Sequence, residues 1–202
     1  MTTTFLPLPL RALAATTASA LLIASALAQA PAPAPGAAPG APAAAATPAP
    51  KPLSPMEKNF IKNAGKSLFY QIQVAGTAKG KFIDPKDPNA RVRDTATKEL
   101  PKAFEALKKF AQAHGETVPA ELTGSDKSDV ERLAKVKEDK FAKEWLELLN
   151  KESKKLDKDF ESAAKTMSDM DAKMYVSNYS AIVHNVFTSS EGALKAASGK
   201  KK

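Results

Sequence analysis

Apolar positions recur at three- and four-residue steps over four long stretches of this chain. That is the period of an α-helix with one buried face. The first stretch opens at Ser54-Pro55-Met56-Glu57. Ser54 suits an N-cap, Pro55 suits the first helical turn, and Glu57 stands where a capping box needs it. Ile61, Ala64, Leu68, Ile72 and Ala75 then form one face, which fades across residues 76–80. Residues 81–88 carry Asp-Pro twice and read as a loop. Asp87-Pro88 restarts a helix with Val92, Ala96, Leu100, Ala103, Leu107 and Phe110 on its stripe. Pro101 inside it removes a backbone donor, so a kink is expected there. Gly115, after His114, marks the helix end.

Ser128-Asp129-Val130-Glu131 reads as a second capping box, opening a short helix through about Val136. A long helix is expected from Asp139 to about Lys165. Phe141, Trp145, Leu149, Leu156 and Phe160 lie on its apolar side, with Lys, Glu and Asp opposite. Ser168 is placed to cap the last helix, whose apolar set includes Met174, Tyr175, Tyr179, Val183 and Val186. No period-two pattern of comparable length competes. The expected fold is all-α, an antiparallel four-helix bundle over residues 53–198 with one short extra helix, followed by a basic tail at 199–202.

Composition divides the chain in two. Residues 1–52 hold 10 of the 15 prolines and only two charged residues, Arg11 and Lys51. Arg11, the uncharged run Ala12–Ala28 and the small-x-small ending Ala26-Leu27-Ala28 read as a secretory signal over residues 1–28, cleaved after Ala28. The run is short and Ala-rich for a span of about 20 residues. Residues 29–52 alternate Ala and Pro, which favours extended polyproline II and offers nothing to a core. They read as a disordered tether. The expected location is therefore periplasmic or secreted.

The formal net charge is +8. Acids are interleaved with bases, which argues against nucleic-acid binding. Lys151, Lys154, Lys155 and Lys158 share a side of their helix. With Lys200–Lys202 they suggest peripheral contact with an anionic envelope surface. The absence of Cys excludes disulfide scaffolds, thiol nucleophiles, thiolate zinc sites and a lipoprotein anchor. Ser189-Ser190 has no assignable triad partners, and no Gly-rich phosphate loop is present. His114 sits near a helix C-terminus, where an imidazole suits the dipole. Glu138, Asp139, Glu144, Glu147 and Glu152 read as a solvated face paired with nearby lysines.

Phe60-Ile61-Lys62-Asn63-Ala64, Leu107 to Gly115, Thr117-Val118-Pro119, Phe141-Ala142-Lys143-Glu144-Trp145 and His184 occur in one order. In that order they resemble the domain of unknown function 4142 family, over roughly Leu53–Leu194. The resemblance implies an exported bacterial four-helix bundle of ferritin-like type. It also implies that family ligand positions fall at Gln71, Glu99-Leu100, Ser153 and His184. An amide, a Leu and a Ser there make a poor site for iron or manganese, which take carboxylate and imidazole. His184 is left as a weak metal candidate. No catalytic residue and no cofactor is assigned. The expected role is non-enzymatic, in envelope interaction with an unidentified partner or in stress adaptation. The alternative is a ferritin-like metal protein with a displaced or degenerate site.

Overall fold

The computed structural model describes residues 52–199. The expected signal, all of the Ala/Pro tether but its last residue, and the basic tail from Lys200 onward lie outside the described residues. Five helices follow one another: α1 (Pro55–Gly76), α2 (Pro88–Ala113), α3 (Gly124–Leu133), α4 (Glu138–Thr166) and α5 (Met170–Gly199). No strand occurs among the described residues. None of these helices is long and apolar enough to cross a membrane.

The helix ends follow local chemistry. At α1 the Glu57 N–H donates to Ser54 Oγ at 3.3 Å, and the Ser54 N–H donates to Glu57 Oε2 at 2.8 Å, a complete capping box. At α2 the Asp87 carboxylate accepts from the Asn89 N–H at 2.8 Å, with Pro88 in the first turn. The helix continues through Pro101 as one element. It ends at His114, and Gly115 takes a left-handed φ of 73° that suits only Gly at low cost.

Two expected caps are displaced. α3 begins at Gly124, upstream of Ser128, after the extended residue Thr123. Ser128 is therefore interior, and its hydroxyl donates back to the Gly124 carbonyl at 3.3 Å. At α5 the cap is Asp169, whose Oδ1 accepts from the Ala172 N–H at 3.0 Å. Ser168 instead donates its hydroxyl to Glu57 at 3.3 Å. In both cases a neighbouring group claimed the hydroxyl that the sequence pattern assigned to a cap.

α1 and α5 each pack against both α2 and α4, so the order around the bundle is α1, α2, α5, α4. Phe60 meets Phe160 at 5.3 Å, while Trp145 Nε1 donates to the Val74 carbonyl at 3.0 Å. The start of α1 thus lies beside the end of α4, and the two run antiparallel. The Tyr175 hydroxyl donates to the Ala103 carbonyl at 3.1 Å, and Pro88 at the start of α2 lines one surface hollow with Ala193 near the end of α5, so α5 runs antiparallel to α2. Every adjacent pair is antiparallel, and the diagonal pair α2 and α4 is parallel. Residues 114–137 must therefore carry the chain back along the length of the bundle, with α3 inside this crossover.

Apolar residues of all four long helices share one core, including Ile61, Leu68, Leu100, Leu107, Leu149 and Val183. Rings gather at both ends. Phe60, Phe160, Tyr175 and Phe110 form a chain of contacts at one end. Phe82, Phe141 and Trp145 pack at the other. Arg93 holds that second end by donating to the carbonyls of Lys81 and Phe82, and Phe82 itself has a φ of 55°.

The crossover lies against α1 at Gly65. A Cβ there would stand 2.3 Å from Val118 Cγ1, closer than atoms can approach. Gly65→Ala is expected to lower stability by about 1–3 kcal/mol through overpacking. Adding Val118→Ala should recover part of the loss, as read by urea unfolding of the two variants.

Candidate metal centre

The positions singled out in the sequence do not form one cluster. Gln71 and Ser153 meet in the core, where Ser153 Oγ donates to Gln71 Oε1 at 2.7 Å. Gln71 Nε2 donates to Ser67 Oγ at 3.4 Å, and Ser67 Oγ donates to Glu152 Oε1 at 2.8 Å. This chain of hydrogen bonds links α1 to α4 and runs outward to a partly exposed carboxylate. Each buried polar group has a partner, so the chain is tolerable inside an apolar bundle. Leu100 is fully buried in the same core.

Glu99 and His184 lie at the surface. Glu99 pairs with Lys102 at 2.9 Å. The His184 side chain is 59% exposed and its Nδ1 lies 3.2 Å from Asp157 Oδ2. The reason is rotational. Val183 and Val186 turn inward on α5, and a residue beside them on the helix must face the groove over α4. The acidic face of α4 is ion-paired: Glu144 with Arg132, Glu147 with Lys143 at 3.7 Å, and Glu152 with Lys155 at 3.5 Å.

A different group of ligand-type side chains converges at one end of the bundle. The structure places His114, at the C-terminus of α2, against the start of α5. Its side chain is only 2% exposed. His114 Nε2 lies 3.6 Å from Asp171 Oδ2 and 3.9 Å from Asp169 Oδ1. One ligand atom from each of the three residues falls within 4.8 Å of the other two. Ligand atoms of a tetrahedral site with bonds of about 2.0–2.1 Å stand about 3.3–3.5 Å apart. A small contraction would close the observed triangle on an ion.

The site is held by its surroundings. The Phe110 ring lies edge-on to the His114 imidazole at 5.1 Å between centroids. Asp169 is fixed twice, by its cap to Ala172 and by its backbone. Its N–H donates to Glu57 Oε1 at 2.8 Å, and the Ser168 N–H donates to the same oxygen at 3.0 Å. Glu57 thus ties the start of α1 to the turn between α4 and α5. Burial works to raise the Glu57 pKa. The bonds it accepts from Asp169, Ser54 and Ser168 outweigh burial and hold it down to about 2, so it stays ionised.

The electrostatics of the triangle are mixed. The positive end of α5 opposes a cation, the negative end of α2 favours one, and each effect is small. Two carboxylates on one side of an imidazole tip the balance toward positive charge.

Sequence reasoning weighed His114 only as a helix-end residue and did not consider Asp169 or Asp171. The available signal was Asp169-Met170-Asp171 directly after a helix end, with a His at the end of another helix. Nothing in the spacing says that those two ends adjoin; that needs the antiparallel packing of α2 on α5. No protein-family model, no curated protein and no solved structure matches this chain.

Proposed function

We propose that this protein is a metal-binding helical bundle of ferritin-like type, whose cation site is displaced from the bundle centre to the end formed by His114, Asp169 and Asp171. The observation that carries the reading is the convergence of these three ligand atoms within 4.8 Å, with the imidazole almost wholly buried. One nitrogen and two carboxylate oxygens suit a divalent ion such as zinc, manganese or iron(II), with positions left for water. The single long crossover between two antiparallel helix pairs supports the ferritin-like part, since folds of that type carry one such connection. The amide and hydroxyl at Gln71 and Ser153 support the displacement, because they bond to each other where a central site would need acids. In this reading residues 1–28 export the chain and residues 29–52 tether it. The bundle then buffers or senses a metal in the cell envelope, as an outlying relative of the domain of unknown function 4142 family.

The test is titration with cobalt(II), followed by its visible absorption, on protein purified without a polyhistidine tag. The wild type should bind one equivalent. Asp171→Asn removes an exposed ligand without disturbing the core and should weaken binding about tenfold or more. His114→Gln should do the same, with circular dichroism checking its fold. His184→Gln should bind as the wild type does. Equal affinity in wild type and Asp171→Asn, or loss on His184→Gln alone, would overturn the assignment.

A further inference from the structure

The first turns of α5 carry a second set of donors that the divalent site does not use. Four large apolar side chains are markedly exposed among the described residues: Met56, Ile83, Met170 and Met174. Three of them are methionines, so the exposed set is rich in thioethers as well as apolar. Met170 is 73% exposed and Met174 is 53% exposed. The apolar stripe read from the sequence put Met174 in the core. The structure turns it outward, because Ala172, Tyr175 and Val176 take the buried side of this helix.

From the structure we infer that Met170 and Met174 form a binding site for a soft monovalent cation, copper(I) or silver(I), directly beside the His114–Asp169–Asp171 triangle. Residues four apart on a helix have Cβ atoms about 5–6 Å apart. Met is unbranched, and rotation about Cα–Cβ and Cβ–Cγ swings its Sδ freely at an exposed position, so two such side chains can bring their Sδ atoms onto one ion. Around the helix axis, at about 100° per residue, Met174 falls between Met170 and Asp171. The two thioethers and the Asp171 carboxylate therefore make a continuous strip. Asp171 stands at its inner edge, 3.6 Å from His114.

Thioether sulfur is a soft donor that selects copper(I) and discriminates against magnesium, calcium and manganese. A purely apolar reason for exposing these side chains would be served as well by Leu. Leu cannot donate to a metal, and that difference is what an experiment can read. The Asp169 and Asp171 carboxylates offset the positive end of α5, which would otherwise weaken a cation at this place.

The two thioether donors, Met170 and Met174, lie outside the divalent ligand set, so the two proposals fail separately. The experiment is calorimetric titration with silver(I) in chloride-free buffer, on wild type and on Met170→Leu/Met174→Leu. Both positions are exposed, so the double variant should keep the wild-type circular dichroism and melting temperature. Wild type should take up one silver(I) equivalent, and the double variant should lose at least about tenfold in affinity. Its cobalt(II) affinity should stay at the wild-type value. Silver(I) bound equally well by both proteins, or not bound by wild type, overturns the thioether site. Cobalt(II) binding absent from wild type, with silver(I) binding intact, overturns the divalent site alone.

Discussion

Trp145→Ala lowers the unfolding free energy by about 3–5 kcal/mol, the cost expected for removing a large aromatic side chain from a packed core. Trp145 is fully buried, and its ring lies 5.3 Å from that of Phe82 and within the end cluster that also holds Phe141. The loss is one of packing and not of a hydrogen bond. The Val74 carbonyl that accepts the indole N–H also accepts from Thr77 Oγ1 at 2.7 Å and from the Thr77 N–H at 3.2 Å. Deleting the indole therefore leaves no orphaned acceptor. Trp145→Phe keeps most of the volume and should cost less than about 1.5 kcal/mol. Urea denaturation of both variants checks the difference. A Phe variant as unstable as the Ala variant would assign the effect to the hydrogen bond instead.

The second large effect is expected at Glu57. Glu57→Gln should destabilise the bundle by about 2–3 kcal/mol at neutral pH. Both carboxylate oxygens accept: one from Ser168 and Asp169, the other from Ser54. An amide nitrogen in place of either oxygen would face a donor. The pH dependence identifies the cause. The folded-state pKa, about 2, lies below the ordinary value of 4.5, so the unfolded chain takes up the proton first. The stabilisation is complete above about pH 4.5 and is lost as the pH falls toward 2. Wild type and Glu57→Gln should differ fully at pH 7 and converge in acid. A gap that stays constant down to pH 2.5 would place the effect outside the charge. Glu57 also positions Asp169, so the same variant should weaken cobalt(II) binding.

Much of the architecture is legible in the chain. The starts of α1 and α2 could be read because Ser54, Glu57 and Asp87 act on backbone groups two or three residues away. The starts of α3 and α5 differ because Ser128 bonds back into its own helix and Ser168 is taken by Glu57, a residue far away in sequence. The stripes identified the buried faces of α1, α2 and α4. At α5 the stripe was overdrawn at Met174, because an apolar side chain at a helix end need not face inward.

The site was less legible. His184 drew attention as a lone imidazole near an apolar stripe, and one residue's rotation around α5 puts it at the surface. Gln71 and Ser153 do meet, since each lies on the inner face of its own helix and the antiparallel packing of α1 on α4 aligns them. His114 was read only for what it does to its own helix end, and neither Asp169 nor Asp171 stood out from the spacing.

The sequence by itself determined the helices, their inner faces and the absence of thiol chemistry, because these depend on residue type and on spacing within a few turns. Only the tertiary structure decided which helix ends adjoin. The crossover of residues 114–137 returns the chain along the bundle and makes α2 and α4 parallel. The end of α2 then meets the start of α5, which brings an imidazole, two carboxylates and a pair of thioethers to one place. Such a meeting depends on the order of helices around the core, and no local pattern encodes that order.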